Sequence, residues 1–153
     1  MPVDVSDSSG SDLADPDALI AQAAFLLDRL HLDPECELSI ALVDEEEMTR
    51  LHVEWMDLPG PTDVLSFPMD DLRPGTADAP RPIGVLGDVI LCPTVAQQQA
   101  AAAGHAPAAE LELLLTHGVL HLLGYDHAEP EEHVIMFGLQ DELLLAWRSE
   151  GAS

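Results

Sequence analysis

Three histidines in the last third of the chain hold the clearest potential for chemistry. His117 and His121 stand four residues apart in an apolar run, and His127 follows six residues later. On a helix, side chains four apart lie one turn above the other on the same face, so two imidazoles placed this way can reach one ion. Gly124 lies between the pair and His127. A glycine there can take positive φ at a helix end, letting the chain turn back and deliver a third nitrogen. Three nitrogen donors with a fourth position open describe a catalytic zinc site, so one Zn2+ per chain is expected. Magnesium and calcium prefer oxygen donors and fit this set less well. Without a metal the three would be ordinary surface or core histidines, an account their spacing and the turn glycine make the weaker one.

The spacing HxxxHxxGxxH is that of the metzincin proteases, but Gly118 stands where those enzymes place a general-base glutamate. A peptidase lacking that base is hard to defend. Asp126 and His133 are the nearby candidates for acid–base work, and the sequence does not show which way either points. His133 falls one turn into a helical pattern, where it is solvent-facing or supports the site. His31 and His105 sit near helix ends or in loops, where solvated or capping roles suffice.

The elements that must position these groups follow from periodicity. Residues 2–6 alternate as a short strand, and Asp15-Pro16 opens a helix that should end near His31. Leu38, Ile40 and Leu42 mark a second strand, and Asp44 with Glu47 starts a helix to about Trp55. Residues 64–67 read as a third strand, 68–82 as a long surface loop rich in Pro, Gly, Asp and Ala, and 85–92 as a fourth strand. A Gln/Ala-rich helix then runs from Pro93-Thr94 to Gly104, followed by helices at about 107–123 and 130–148. The order βαβαββααα predicts an α+β fold, a mixed four-stranded sheet packed with about five helices, the histidine-bearing helix in the core. No repeat or change of composition divides the chain, so residues 1–153 are expected to form a single domain.

A chain of 153 residues can bury roughly 70% of its unfolded surface, a core large enough to dispense with disulfides. Cys36 and Cys92 make neither a disulfide framework nor a CxxC knuckle, and a reducing cytoplasm is the simpler setting. No apolar run approaches the ~20 residues of a membrane helix, and no charged-then-apolar leader opens the chain. Against 29 acidic residues stand five arginines and no lysine, a formal charge of −24. Such a field repels phosphate backbones, because nucleic-acid affinity ordinarily comes from basic groups that release counterions. A site, however, is built from local charges and any bound ion, so composition opposes RNA without excluding it.

Three ordered blocks carry a family resemblance over nearly the whole chain: Pro61-Thr62-Asp63-Val64-Leu65-Ser66-Phe67-Pro68, then Gly87-Asp88-Val89-Ile90, then the eleven residues from His117 to His127. Together they resemble the YbeY family of bacterial endoribonucleases. The resemblance implies a cytoplasmic, metal-dependent, single-strand-specific endoribonuclease. It would act in 16S ribosomal RNA 3′-end maturation and ribosome quality control. It also implies that Thr62, Asp63 and Ser66 lie beside the metal and orient substrate or water, although a turn and an ordinary core strand would equally explain that block. Asp88 either anchors a turn or supports the site.

Two departures from the family pattern fall in the segment Leu51-His52-Val53-Glu54-Trp55-Met56. His52 replaces an asparagine, and Met56 replaces an arginine suited to partner phosphate, work a thioether cannot do. Arg50, six positions earlier, points to another helix face. Arg73 and Arg81 in the long loop are the remaining candidates to contact substrate. With so few cations, docking on the small ribosomal subunit is the expected route to RNA. Two rival readings stay open here: a metallohydrolase of peptide or amide substrates, and a ribosome-assembly factor whose zinc is structural.

Overall fold

In the computed structural model, which describes residues 2–151, the elements follow in the order β1 (Val3–Asp7), α1 (Pro16–Arg29), β2 (Glu37–Leu42), α2 (Glu45–Met56), β3 (Val64–Pro68), β4 (Val85–Leu91), α3 (Pro93–Ala103), α4 (Pro107–Leu122) and α5 (Pro130–Ala146). The order of elements is the one the periodicity predicts. A π turn at Trp147–Gly151 follows α5. The sheet has the order β1-β2-β4-β3. β1, β2 and β4 run parallel, and β3 lies antiparallel against β4 as an edge strand.

Local chemistry sets most of the boundaries. The Asp15 carboxylate accepts from the Asp17 amide ahead of Pro16, and the Asp44 carboxylate accepts from the Glu47 amide at 2.8 Å. Gly104 ends α3 with φ 80°. α1 stops at Arg29, two residues short of His31, because the Leu32 amide turns back to the Leu27 carbonyl and His31 takes φ 57°. That turn places Leu32 in the core with no exposure. The last α-helix closes at Ala146 rather than 148, where the Trp147 indole donates to Glu112.

Two apolar layers sandwich the sheet. Val3, Leu38, Ile40, Val89 and Leu91 pack on one face with Leu26 of α1 and Leu115, Val119 and Leu120 of α4. On the other face Leu65, Phe67 and Ile90 meet Met48 and Leu51 of α2. α4 touches α1, α3, α5, β3 and β4, which makes it the central helix. Buried Gln22 ties α1 to it, donating to the Glu112 carbonyl at 2.8 Å and to Thr116 Oγ1 at 3.0 Å. Among the described residues no helix is long and apolar enough to cross a membrane. Cys36 and Cys92 are buried free thiols, and burial pushes both upward from the ordinary cysteine pKa.

Candidate metal centre

The three histidines meet. Their ligating nitrogens all lie within 4.8 Å of one another, at the end of α4 and in the turn after it. His117 and His121 come from one helix face. Their roles are set by what holds the far nitrogen of each ring. His117 Nδ1 donates to Gln140 Oε1 at 2.8 Å, and His121 Nδ1 donates to the Tyr125 carbonyl at 3.0 Å. In a neutral imidazole the other nitrogen is then an unprotonated acceptor. The two Nε2 atoms lie 3.0 Å apart. Two lone pairs facing each other at that distance repel unless a cation lies between them, so this donor set fits a bound metal ion.

The turn after α4 delivers the third donor. Gly124 has φ 94°, and the Tyr125 amide returns to the Leu120 carbonyl. A side chain at Gly124 would meet more than backbone strain, because its Cβ would sit 2.7 Å from Arg73 Cζ. Arg73 thus packs its guanidinium on the turn that carries His127, and it is paired with Asp71 at 2.5 Å. Asp126 accepts the His127 amide through Oδ1 at 2.7 Å, fixing the backbone of that residue. His127 is exposed whereas His117 and His121 are partly buried, so the centre opens toward solvent on one side.

Behind the histidines stands one face of α5. Phe137 lies 5.6 Å from the His117 ring and 5.7 Å from the His127 ring, and His133 stacks on Phe137 at 4.3 Å. His133, Phe137 and Gln140 occupy positions i, i+4 and i+7 of α5, one stripe. Sequence reasoning named only His133 of these. The signal for the others was Gln140, a polar residue in an apolar helix at seven-residue spacing from a candidate histidine.

The opposite wall is β3. Ser66 Oγ donates to the Gly118 carbonyl at 3.0 Å. A Cβ on Gly118 would fall 2.8 Å from Val89 Cγ1, so α4 approaches the sheet at a distance only glycine permits. Asp63 stands at the mouth of the strand, its Oδ1 accepting from the Val64 amide at 2.8 Å and from Thr62 Oγ1 at 3.2 Å. Asp63, Ser66 and Met56 line, with the three histidines, a cleft of about 380 Å³. Asp63 is the only carboxylate on that lining among the described residues.

Other candidate residues lie apart from it. Arg81 donates to Asp28 at 3.0 Å and to the Leu32 carbonyl at 3.2 Å, in a separate recess between β1 and α1. His52 Nδ1 pairs with the Gly60 carbonyl at 3.0 Å and pins the loop after α2. Asp88 sits on β4 opposite Phe67 and lines a recess with Asp4 and Ser39, away from the histidines. His105 pairs with buried Glu110 at 2.5 Å.

Electrostatics favour the neutral, metal-binding state. Burial lowers the pKa of His117 below the ordinary 6.5, opposed in part by the bond to Gln140, and nearby His127 pushes it further down. Burial likewise lowers His121, assisted by its neighbour His117. In the window between the lowered folded value and 6.5 the unfolded chain binds more protons than the folded one, so stability falls as pH drops through that window. Metal should therefore stay bound below pH 6.5, where an ordinary histidine would already be half protonated. Metal content after dialysis at stepped pH, with melting of the metal-free protein alongside, checks this. Half-release at or above pH 6.5 would contradict it.

An α+β layer fold with a helix-and-turn histidine triad beside an edge strand defines a protein whose central helix carries a cluster able to hold a metal ion. The model of the family Endoribonuclease YbeY matches residues 9–148. The Endoribonuclease YbeY of Thermobifida fusca is 57% identical over 148 residues, covering 97% of this chain and 95% of that protein. That of Nocardioides sp. is 55% identical over 149 residues, covering 97% and 99%. The solution structure of TM1509 from Thermotoga maritima shares the fold, with a TM-score of 0.64 at 24% identity over 96% of this chain and 92% of that one. The chain belongs to the YbeY family, as its three sequence blocks indicated.

Proposed function

We propose that this chain is a zinc-dependent, single-strand-specific endoribonuclease that matures the 3′ end of 16S ribosomal RNA, serves ribosome quality control, and works in the cytoplasm docked on the small ribosomal subunit. The observation that carries the reading is the pair of unprotonated Nε2 atoms 3.0 Å apart at an open cleft, in a chain 57% identical to a protein named Endoribonuclease YbeY. His117, His121 and His127 would hold the metal, which when bound lowers the pKa of a water and polarises a phosphoryl oxygen.

The chain's own groups do the rest. Gln140 and the Tyr125 carbonyl hold two imidazoles in the ligating tautomer. Asp63, facing the histidines with one oxygen tied by the Val64 amide, orients a water or takes its proton. Of the two candidates named by sequence, Asp126 is committed to the His127 amide, which leaves His133, 6.4 Å from the His127 ring, as the proton carrier on the α5 side. Ser66 donates to Gly118 and keeps its oxygen lone pairs for a ribose hydroxyl. Arg73, beside the His127 turn, is the cation for phosphate. Arg81 has no part, being held by Asp28 away from the cleft.

Gly118 speaks against peptide substrates, because the place of a metzincin glutamate is closed by Val89. The metal-loaded chain should cut single-stranded RNA and leave duplex RNA and peptide pools intact. Peptide cleavage, or no RNA cleavage, would overturn the proposal. Chelation should stop cleavage while the fold persists; unfolding on chelation would mark a structural metal.

Met56 tests the missing cation. It lines the cleft and is 45% exposed, so an arginine there reaches solvent and substrate without being buried. A charged hydrogen bond is worth about 1.5–3 kcal/mol, so Met56→Arg should raise RNA cleavage about tenfold or more. Metal content and melting temperature should stay as in the wild type. Unchanged turnover in the folded variant would show that this position does not contact phosphate.

A further inference from the structure

Trp55 is 62% exposed at the C-terminal end of α2. Its ring meets Phe67 of β3 edge-on, 5.8 Å between centroids at 65°. Apart from that contact most of the indole is open. The next residue, Met56, lines the histidine cleft, and Phe67 follows Ser66 on the strand that forms its wall. Phe67 lies on the sheet face opposite Ser66, so the ring stands beside edge strand β3, one residue along the chain from the cleft lining. An indole left this exposed gains little from burial, and α2 is otherwise acidic at Glu45, Glu46, Glu47 and Glu54.

The charge of the molecule says what such a ring is suited to hold. The formal charge is −24, and each of the five arginines is already in an ion pair: Arg29 with Glu150, Arg50 with Glu47 and Glu54, Arg73 with Asp71, Arg81 with Asp28, Arg148 with Glu112. Beyond Arg73 few phosphate contacts are on offer, so most of the affinity for a polyanion must come from uncharged contacts. Stacking of a base on an aromatic ring is such a contact, worth roughly 5- to 150-fold in affinity per base. It also requires an unpaired base, which a duplex keeps inside its own stack.

We propose that Trp55 is a stacking platform for an unpaired nucleobase of single-stranded RNA, holding the strand so that a neighbouring phosphate enters the histidine cleft. This rests on the endoribonuclease reading above. Trp55 is then a substrate-binding residue that contributes to the preference for single strands.

The chain has two tryptophans, and Trp147 is 6% exposed, bonded to Glu112 and packed on Phe25. Emission of an accessible indole therefore reports Trp55. The metal-loaded full chain is titrated with a 2′-O-methyl oligouridylate, verified intact afterwards, and with an abasic strand of equal length and phosphate count. The base-bearing strand should quench the emission and bind roughly 5- to 150-fold more tightly. Trp55→Ala should raise KM for single-stranded RNA by a similar factor with kcat within about twofold, and Trp55→Phe should recover most of the loss. Equal affinity for the two strands, or wild-type KM in Trp55→Ala, overturns the proposal. So does emission that changes with protein concentration alone, which would assign the ring to contact with a second copy. Wild-type cleavage of RNA with no effect of Trp55→Ala would sink stacking and leave the endoribonuclease reading standing. Selective quenching by the base-bearing strand without any cleavage would do the reverse.

Discussion

Alanine at His117, His121 or His127 is expected to strip the chain of its metal and to lower RNA cleavage by more than about a hundredfold. Each of the three supplies one nitrogen to a cluster whose donor atoms all lie within 4.8 Å, and no other histidine, cysteine or acidic group joins that cluster among the described residues. Two remaining nitrogens cannot complete a three-ligand site. A graded control comes from Gln140, which is 3% exposed and touches the site only through His117. Gln140→Leu keeps its volume and removes the bond to Nδ1, so the ring is free to turn or change tautomer. The loss of such a support costs about 10- to 100-fold in metal affinity or activity, less than loss of the ligand itself. Elemental analysis and cleavage rates on the same four preparations decide the matter. Full metal content in all three alanine variants would remove the metal centre from the account.

Installing the metzincin glutamate through Gly118→Glu is expected to destabilise the protein severely and to create no peptidase. The Cβ alone would lie 2.8 Å from Val89 Cγ1 and 3.2 Å from Ser66 Oγ. Overpacking of this kind costs about 1–3 kcal/mol, and an uncompensated charge between helix and sheet about 3–5 more. A domain of this size has about 5–15 kcal/mol in total. Each lost kcal/mol lowers the melting temperature by about 2–4 °C, so a fall of 8 °C is a conservative estimate and outright unfolding is within range. Gly118→Ala separates the causes, since it adds the contact without the charge and should account for the smaller part. A Gly118→Glu protein melting within about 2 °C of wild type would mean that α4 can back away from the sheet.

Much of this protein is legible in its sequence because the informative signals are local. Helical spacing puts His117 and His121 on one face whatever surrounds them, and Gly124 permits the reversal because φ 94° is open to glycine. Asp15, Asp44 and Gly104 set helix ends through bonds within a few residues, period-two alternation exposed the first two strands, and short apolar runs marked the other two. Where boundaries shifted, contacts outside the periodic pattern moved them: the turn that buries Leu32 shortened α1, and the Trp147–Glu112 bond, 35 residues apart in sequence, marks where α5 ends.

What the sequence by itself determined, then, is the spacing of a histidine triad able to hold a metal, the order of elements and the family; what only the tertiary structure decided is the company the triad keeps. Gln140 lies 23 residues beyond His117, and Ser66 lies 52 before Gly118, so neither contact leaves a trace in local periodicity. The antiparallel edge pairing of β3 with β4 carries Asp63 and Ser66 into the cleft, while Asp28 holds Arg81 on the far side. Chain topology alone selects among such partners, because helix and strand patterns specify which face of an element is buried and leave open which other element it is buried against.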